Sequence, residues 1–282
     1  MAAAKKKFTW ETVEKRFSAA FAFAVLFFLM APLIVIIPLS FNAEPYFSFT
    51  SKMLTLNPQG FSLRWYQDIV DNPQWLQAIG NSLIIAICST ALSTVLGTLA
   101  AIGLARSNMP FRDLIMAILI SPLVVPIIIA AAGMYFFYSS IGLTQTHLGI
   151  ILAHTTLGTP FVVITMTAVL SGFDRNLIKA ASSLGADPMT AFFRVTLPLI
   201  APGMISGALF AFAASFDEVV TVLFLGGPDQ RTIPRQMWSG IREQISPTIL
   251  AVAVLLIIVS SLLLLTVERL RRRNAPAAVA KA

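Results

Sequence analysis

The chain has 282 residues, of which 57% are hydrophobic and only 12% charged, and its mean hydropathy is +0.81. Soluble domains average about 45–50% apolar and about 25% charged residues, so this composition excludes an ordinary water-soluble globule and indicates a membrane protein. The net charge of +7 indicates a membrane surface rather than nucleic acid as partner, because the basic residues lie between and beyond long apolar segments. A single cysteine, Cys88, excludes an internal disulfide and a cysteine-clustered metal site.

Six apolar runs reach the roughly 20 residues that a helix needs to cross a bilayer. They predict an all-α, polytopic membrane protein with six transmembrane helices. In chain order the runs are Phe17–Phe41, Ile79–Ala105, Leu114–Phe137, Leu148–Leu170, Ala201–Leu225 and Pro247–Val267. The chain is thereby divided into an N-terminal segment, a membrane domain and a basic tail, which comprise residues 1–16, 17–267 and 268–282.

Basic residues are distributed unevenly between the two alternating sets of segments that flank these spans. One set holds 15 Lys and Arg residues and the other holds 5. The basic-rich set comprises segments 1–16, 106–113, 171–200 and 268–282, and the other comprises segments 42–78, 138–147 and 226–246. Positively charged segments stay in the cytoplasm, so both termini are expected there. The runs Lys5 to Lys7 and Arg271 to Arg273 are interpreted as topological anchors or as binding sites for anionic lipid.

Prolines interrupt two of the predicted spans. Pro122 and Pro126 lie in the third span and Pro160 lies in the fourth. Each removes a backbone donor and kinks a helix, which is compatible with a hinge and equally with a fixed packing kink.

Several signatures of enzymes are missing from the sequence. No GxxxxGK[ST] phosphate loop and no GxSxG nucleophile elbow is present. The two histidines, His147 and His154, are seven residues apart, so they lie about 10 Å apart along a helix and are too distant to share one metal ion. We therefore expect a protein that is not an enzyme, binds no metal and holds no cofactor of its own, with both histidines as hydrogen-bonded structural residues.

The longest predicted cytoplasmic loop, at about residues 171–200, has the signals of two short helices. Residues 175–184 are compatible with a helix, Gly185 breaks it, and Asp187 caps a second helix that Pro188 begins. The second helix is expected to end at Pro198. Its apolar side chains need a partner surface, and these are Met189, Phe192 and Phe193.

Two acidic residues, Asp217 and Glu218, lie inside the fifth predicted span, toward its outer end. A carboxylate near the bilayer centre costs about 2.5–3.5 kcal/mol on insertion scales, so such residues face a water-filled path or a partner charge. Adjacent helical residues point about 100° apart, and we expect only one of the two to face a path. The alternative is pairing with an arginine of the outer loop, namely Arg231, Arg235 or Arg242.

The cytoplasmic loop resembles the EAA loop of permease subunits of binding-protein-dependent ABC importers. The spacing of the motif is matched throughout, with Val195 in place of Ile and with Lys179 where the family usually has Glu. The resemblance extends from Asn81 to about Leu225. It implies an ATPase-docking role for the loop, whose residues are Lys179, Ala180, Ala181, Gly185, Asp187, Met189, Phe192, Phe193, Leu197 and Pro198.

The resemblance also implies the architecture and the partners of the protein. The fold is expected to be that of a type I ABC importer permease in the bacterial inner membrane. The expected partners are an ATPase dimer that binds ATP and Mg²⁺, a second permease subunit that completes a heterodimer, and an extracytoplasmic substrate-binding protein. A separate ATPase subunit accounts for the absence of a phosphate loop from this chain.

Within that family the chain is similar to the second permease of spermidine/putrescine importers. The similar segments are Phe61 to Tyr66, Ser215 to Glu218, and Thr232 to Pro234 with Gln236 to Trp238. A polyamine substrate agrees with outward-lying acids, and Trp65 is either a cation–π contact in the path or an interfacial anchor. The alternatives are a permease for iron, thiamine, sulfate or opines, and a self-sufficient secondary transporter or channel.

Overall fold

The computed structural model of the protein describes residues 10–105, 109–243 and 246–274, and this part of the chain is almost entirely helical. An isolated antiparallel bridge between Asn42 and Phe61 is the one β-type pairing among these residues. The helices are α1 (Trp10–Leu39), α2 (Ser51–Leu54), α3 (Arg64–Asp71), α4 (Pro73–Leu104), α5 (Arg112–Val124), α6 (Ile127–Ser140), α7 (His147–Ser171), α8 (Asn176–Ser183), α9 (Pro188–Ala191), α10 (Leu197–Phe216), α11 (Val220–Leu225), α12 (Ile233–Glu243) and α13 (Thr248–Asn274). The predicted all-α class is confirmed.

Each of the six predicted spans coincides with one or more of these helices. Within the described residues, four helical stretches are long and apolar enough to cross a bilayer alone. These are Glu14–Leu39, Pro73–Leu104, His147–Ser171 and Pro188–Phe216. The apolar part of α13 is shorter, at Thr248–Leu262, and α5 with α6 forms a bent pair that counts as a fifth candidate.

The third predicted span, Leu114–Phe137, is sharply broken rather than continuous. Helices α5 and α6 meet at an angle of 103°. Val125 has an extended backbone, with φ −69° and ψ 131°, because the following Pro126 disfavours the helical conformation and lacks an N–H donor. Pro160, in contrast, lies buried inside α7, which continues through it.

The described chain divides into two compact units. One unit contains α1, α2, α3 and the first part of α13. In this unit Asn42 is fully buried, and its side-chain amide donates to the carbonyl oxygens of Tyr46 and Ser48 at 3.0 Å each. The Thr248 hydroxyl at the start of α13 donates to the Asp68 carboxylate on α3 at 2.6 Å.

The other unit contains α4 to α12 and is built on three long helices, α4, α7 and α10, which pack against one another. Val162 on α7 lies between Gly97 on α4 and Gly207 on α10. A Cβ atom at Gly97 would lie 2.6 Å from Val162 Cβ, and one at Gly207 would lie 3.1 Å from Val162 Cα. The two glycines therefore let the three backbones approach closely, as small residues do between membrane helices.

Residues 1–9, 106–108, 244–245 and 275–282 lie outside the described residues. The predicted anchor Lys5 to Lys7 falls there, as do part of the N-terminal segment and part of the basic tail. The side chains of Arg271 to Arg273 are also outside the described part, so both anchors stay predictions.

Candidate functional site

The two acidic residues lie at a break between helices. The N–H of Asp217 donates to the Ala213 carbonyl at 3.1 Å, which is the last bond of α10. Glu218 then accepts hydrogen bonds from the N–H groups of Val220 and Thr221, at 2.9 Å each, and from the Thr221 hydroxyl. Because this side chain binds N–H groups at the start of α11, it favours a new helix over continuation of α10. The predicted span Ala201–Leu225 is therefore wrong at its outer end.

The break separates the two carboxylates. Asp217 is exposed, whereas the Glu218 side chain is 11% exposed and turned toward α7. There, Glu218 Oε2 lies 3.6 Å from Nε2 of His154. One of the two acids is thus available at the protein surface, and the other faces the interior.

None of the outer-loop arginines forms an ion pair with either acid within the described residues. Arg231 donates instead to the side-chain oxygens of Gln74 and Gln236, at 3.5 Å and 3.2 Å. Arg235 donates to the Gly227 carbonyl at 2.7 Å. The alternative of an acid braced by an arginine is not formed in this structure.

A buried polar chain joins the three core helices and ends at His154, beside Glu218. Ser89 on α4 donates to Ser215 on α10 at 2.9 Å, and the Ser215 hydroxyl lies 2.8 Å from Nδ1 of His154 on α7. The His154 side chain is fully buried, and its Nε2 has no hydrogen-bond partner among the described residues. The partners of His154 are far apart in the chain, so no local sequence signal indicated this connection.

His147 belongs to a separate network near the N-terminal end of α4. Its Nε2 lies 2.9 Å from the Asn81 side-chain oxygen, and the Asn81 amide donates to the carbonyls of Asp229 and Arg231 at 2.7 Å and 2.9 Å. This network holds the loop after α11 against α4. Across the described residues, no group of three or more potential metal ligands is formed.

Trp65 has two contacts within its own unit. Its Nε1 donates to the Asn42 carbonyl at 2.7 Å, and the Arg64 guanidinium lies 4.0 Å from the ring centroid. A cation already occupies this ring, which supports the interpretation as a structural anchor. A role of Trp65 in a substrate path stays a prediction.

The loop predicted to be cytoplasmic has the two-helix shape expected from its capping residues. Helix α8 ends in a turn in which Gly185 has φ +86°, and the N–H of Ala186 donates to the Ala181 carbonyl at 3.0 Å. This positive φ favours glycine. Asp187 caps α9 by accepting from the N–H of Met189 at 3.2 Å, and a hydrogen bond from the Thr190 side chain is the main cause that lowers the pKa of the Asp187 carboxyl. The predicted helix–glycine–helix shape is confirmed.

The second helix of the loop does not end at Pro198, contrary to the prediction. It passes through a π-helical turn, Phe192–Thr196, into α10. In that turn the N–H of Leu197 donates to the Phe192 carbonyl, one residue further back than in an α-helix. The wider turn accommodates the proline ring without a break. The loop is therefore continuous with a core membrane helix, as one stretch from Pro188 to Phe216.

Apolar side chains are exposed on this loop. Met189 is 64% exposed and Phe193 is 55% exposed, whereas Phe192 is half-buried against the Phe193 ring, with centroids 5.1 Å apart. Leu184 is 89% exposed and was not among the predicted docking residues. Its position just before the left-handed glycine was the signal available for it. Lys179, Ala180 and Asp187 are exposed, as are Gly185 and Pro198, whereas Ala181 and Leu197 are half-buried.

Comparisons with known proteins agree with this fold and loop. The chain matches the family model described as "Binding-protein-dependent transport system inner membrane component" over residues 93–277. It is 30% identical over 255 residues to the spermidine/putrescine permease protein PotC of Haemophilus influenzae, covering 90% of this chain and 96% of that protein. It is 34% identical over 241 residues to the putrescine permease protein PotI of Escherichia coli, covering 82% of each.

A solved structure shows the same fold. A bacterial ABC transporter chain involved in alginate import superposes with a TM-score of 0.68 at 13% identity, covering 98% of this chain and all of that one. The fold and the loop define a membrane subunit of an ABC importer. The chain belongs to the family of binding-protein-dependent transport system inner membrane components. It is a permease subunit rather than an enzyme, and its importer works with an ATPase and a substrate-binding protein.

Proposed function

We propose that this chain is one of two different permease subunits of an ATP-driven importer and forms half of the path for a small cationic solute, namely a polyamine such as spermidine or putrescine. The observation that carries the substrate is similarity over 82–90% of the chain to permeases named for these amines. The exposed Asp217 agrees with a cation. Family membership favours this function over a self-sufficient secondary transporter.

Asp217 is the acid that faces the solute in this proposal. It is exposed at a helix break, where it has no arginine partner within the described residues. An ionised carboxylate at membrane depth is costly unless water or a cation compensates it. A polyamine passing along this surface supplies positive charge, and Glu218 lies one residue away to contribute a longer-range attraction.

The position of Asp217 supports the proposal of a second permease subunit. The described helices α4, α7 and α10 pack closely against one another and Asp217 is exposed, so the acid lies on the surface of this chain rather than in an internal channel. A path closed on all sides needs another wall, and we assign it to a different permease subunit.

The loop around Gly185 is the ATPase contact in this proposal. Leu184, Met189 and Phe193 present apolar surface on the same loop that carries the exposed Lys179. Exposed apolar groups of this kind bind a groove on a partner. ATP and Mg²⁺ belong to the ATPase dimer, and the continuous helix from Pro188 to Phe216 transmits its movement directly to the acidic break.

Both termini lie in the cytoplasm in this proposal, and the segment between α1 and α4 lies outside. In a Cys88→Ser background, cysteine at the exposed position Gln59 is expected to react with an impermeant maleimide in intact cells. Protease tags at residues 1 and 282 are expected to stay protected until the cells are opened. Protection of Gln59→Cys together with cleavage of the terminal tags contradicts this orientation.

The substrate is tested on the complete complex, purified with its ATPase and second permease and reconstituted into lipid vesicles. We expect the substrate-binding protein loaded with spermidine or putrescine to stimulate ATP hydrolysis. Iron, thiamine, sulfate and opines are the matched alternatives, and stimulation by one of these in place of the amines contradicts the polyamine assignment. Recovery of two copies of this chain without a second permease contradicts the heterodimer.

A further inference from the structure

The buried polar chain ends at a ring nitrogen of His154 that faces Glu218. His154 Nε2 is completely buried, lacks a hydrogen-bond partner among the described residues and points at the Glu218 carboxylate from 3.6 Å. That distance is too long for a formed hydrogen bond but short enough for electrostatic interaction. Buried ring nitrogens without partners are rare, so this arrangement calls for a role.

The Glu218 carboxylate beside Nε2 favours one tautomer of His154. Ser89 Oγ lies within bonding distance of the Ala86 carbonyl, at 3.2 Å, and of Ser215 Oγ, at 2.9 Å. When Ser89 donates to Ser215, the Ser215 hydroxyl hydrogen is free to bond Nδ1 of His154, 2.8 Å away. An imidazole that accepts at Nδ1 carries its proton on Nε2. The Nε2–H then points at a carboxylate oxygen, whereas the other tautomer would direct a lone pair at it. The chain from α4 through α10 to α7 thus presents a donor to Glu218.

The carboxylate of Glu218 has two kinds of contact. Its bonds to Val220 and Thr221 fix the carboxylate at the start of α11. They leave open whether the opposite side of the carboxylate faces protein or water. On the side of α7 that choice depends on His154. An apolar residue there would leave the α7 side of this nearly buried carboxylate without polar compensation, with Val220 and Thr221 as its remaining donors, and the cost of its burial would favour a turn toward water.

We propose that His154 is a positioning residue that sets the charge preference of the path. It keeps the Glu218 carboxylate turned into the helix core, so that Asp217 alone is open to the solute. Loss of the Nε2–H donor releases a second acid toward the path. This inference rests on the proposed path function of Asp217.

The test measures the ratio of spermidine to putrescine uptake by the reconstituted complex. His154→Met keeps the approximate side-chain volume but removes the donor. We expect it to raise this ratio about fivefold, which is the change in rate that one added charge pair produces in water. His154→Gln retains an N–H donor and is expected to restore the ratio to within about twofold of the unsubstituted protein. A residue with a purely structural role would change the amount of complex and leave the ratio unchanged.

A double substitution and a matched control complete the experiment. In a Glu218→Gln background, His154→Met is expected to have no further effect on the ratio, because the acid through which it acts is gone. His147→Met, on the same helix but bonded to Asn81, is the control and leaves the ratio unchanged. Where His154→Met does not assemble, Ser215→Ala takes its place. It removes the hydroxyl that bonds Nδ1, so the proton of His154 is no longer held on Nε2, and the ratio is expected to shift in the same direction.

Two failures are distinguishable. The role of His154 is overturned if the uptake ratio is unchanged in His154→Met or, where that variant does not assemble, in Ser215→Ala. It is also overturned if the shift in the ratio persists in the Glu218→Gln background. Wild-type uptake of every amine by Asp217→Asn overturns the proposed path function itself.

Discussion

Replacing Phe193 with aspartate is expected to abolish transport and to release the ATPase from the purified complex while the membrane helices still insert. Phe193 is 55% exposed on the cytoplasmic loop, so the change leaves no cavity in the core. At a docking surface, loss of an aromatic anchor costs about 2 kcal/mol or more, which weakens association roughly 30-fold, and burial of the new carboxylate adds to this loss. ATPase recovery and uptake are measured on the same preparation.

Two controls separate docking from general disturbance of the loop. Asn176→Asp adds the same charge at the start of α8 without removing an apolar group, and Phe193→Leu keeps the apolar character. Both are expected to retain the ATPase. Normal co-purification and uptake by Phe193→Asp contradict the docking assignment.

The backbone conformation of the same loop offers a second, independent test of ATPase docking. Gly185→Ala forces a side chain into φ +86°, at a cost of about 1–2 kcal/mol, and is expected to lower ATPase recovery. Gly172→Ala is the matched control, because Gly172 has φ −93° and its added Cβ meets the Val169 carbonyl at an ordinary 3.8 Å.

Neutralising Asp217 is expected to reduce polyamine uptake in proportion to substrate charge. Each pair of unit charges 4 Å apart contributes about 1 kcal/mol in water, and about 4 kcal/mol where the effective dielectric constant is near 20. Loss of one carboxylate therefore slows the trivalent amine spermidine about fivefold or more, and slows the divalent putrescine less. Because Asp217 is exposed and only caps the end of α10, Asp217→Asn is expected to assemble with the ATPase at the normal level.

Local signals predicted the cytoplasmic loop well. A glycine that must adopt a positive φ, an aspartate that caps and a proline at the first helical turn each act on neighbouring residues, so Gly185, Asp187 and Pro188 are readable one by one. The effect of Pro198 was not readable, because it depends on the π-helical turn that precedes it and on the packing that stabilises that turn.

The acidic site was predictable in composition but not in geometry. Two carboxylates in an apolar run mark the position, yet the break after Phe216 arises from the Glu218 side chain binding N–H groups that a continuous helix would have used. Glu218 also lies 3.6 Å from Nε2 of His154, a residue that is distant in the chain. Likewise, Pro122 and Pro126 indicated a kink in the third span, but the angle of 103° depends on how α5 and α6 pack.

The most direct test of a polycation path through this subunit is the ratio of spermidine to putrescine uptake in vesicles that contain the complete complex and internal ATP. Asp217→Asn is compared with Asp229→Asn, which removes the same charge from an exposed residue elsewhere in this subunit. The proposed function predicts that Asp217→Asn lowers the ratio and that Asp229→Asn leaves it unchanged. An equal ratio in both variants, with uptake of each amine at the wild-type rate, contradicts it.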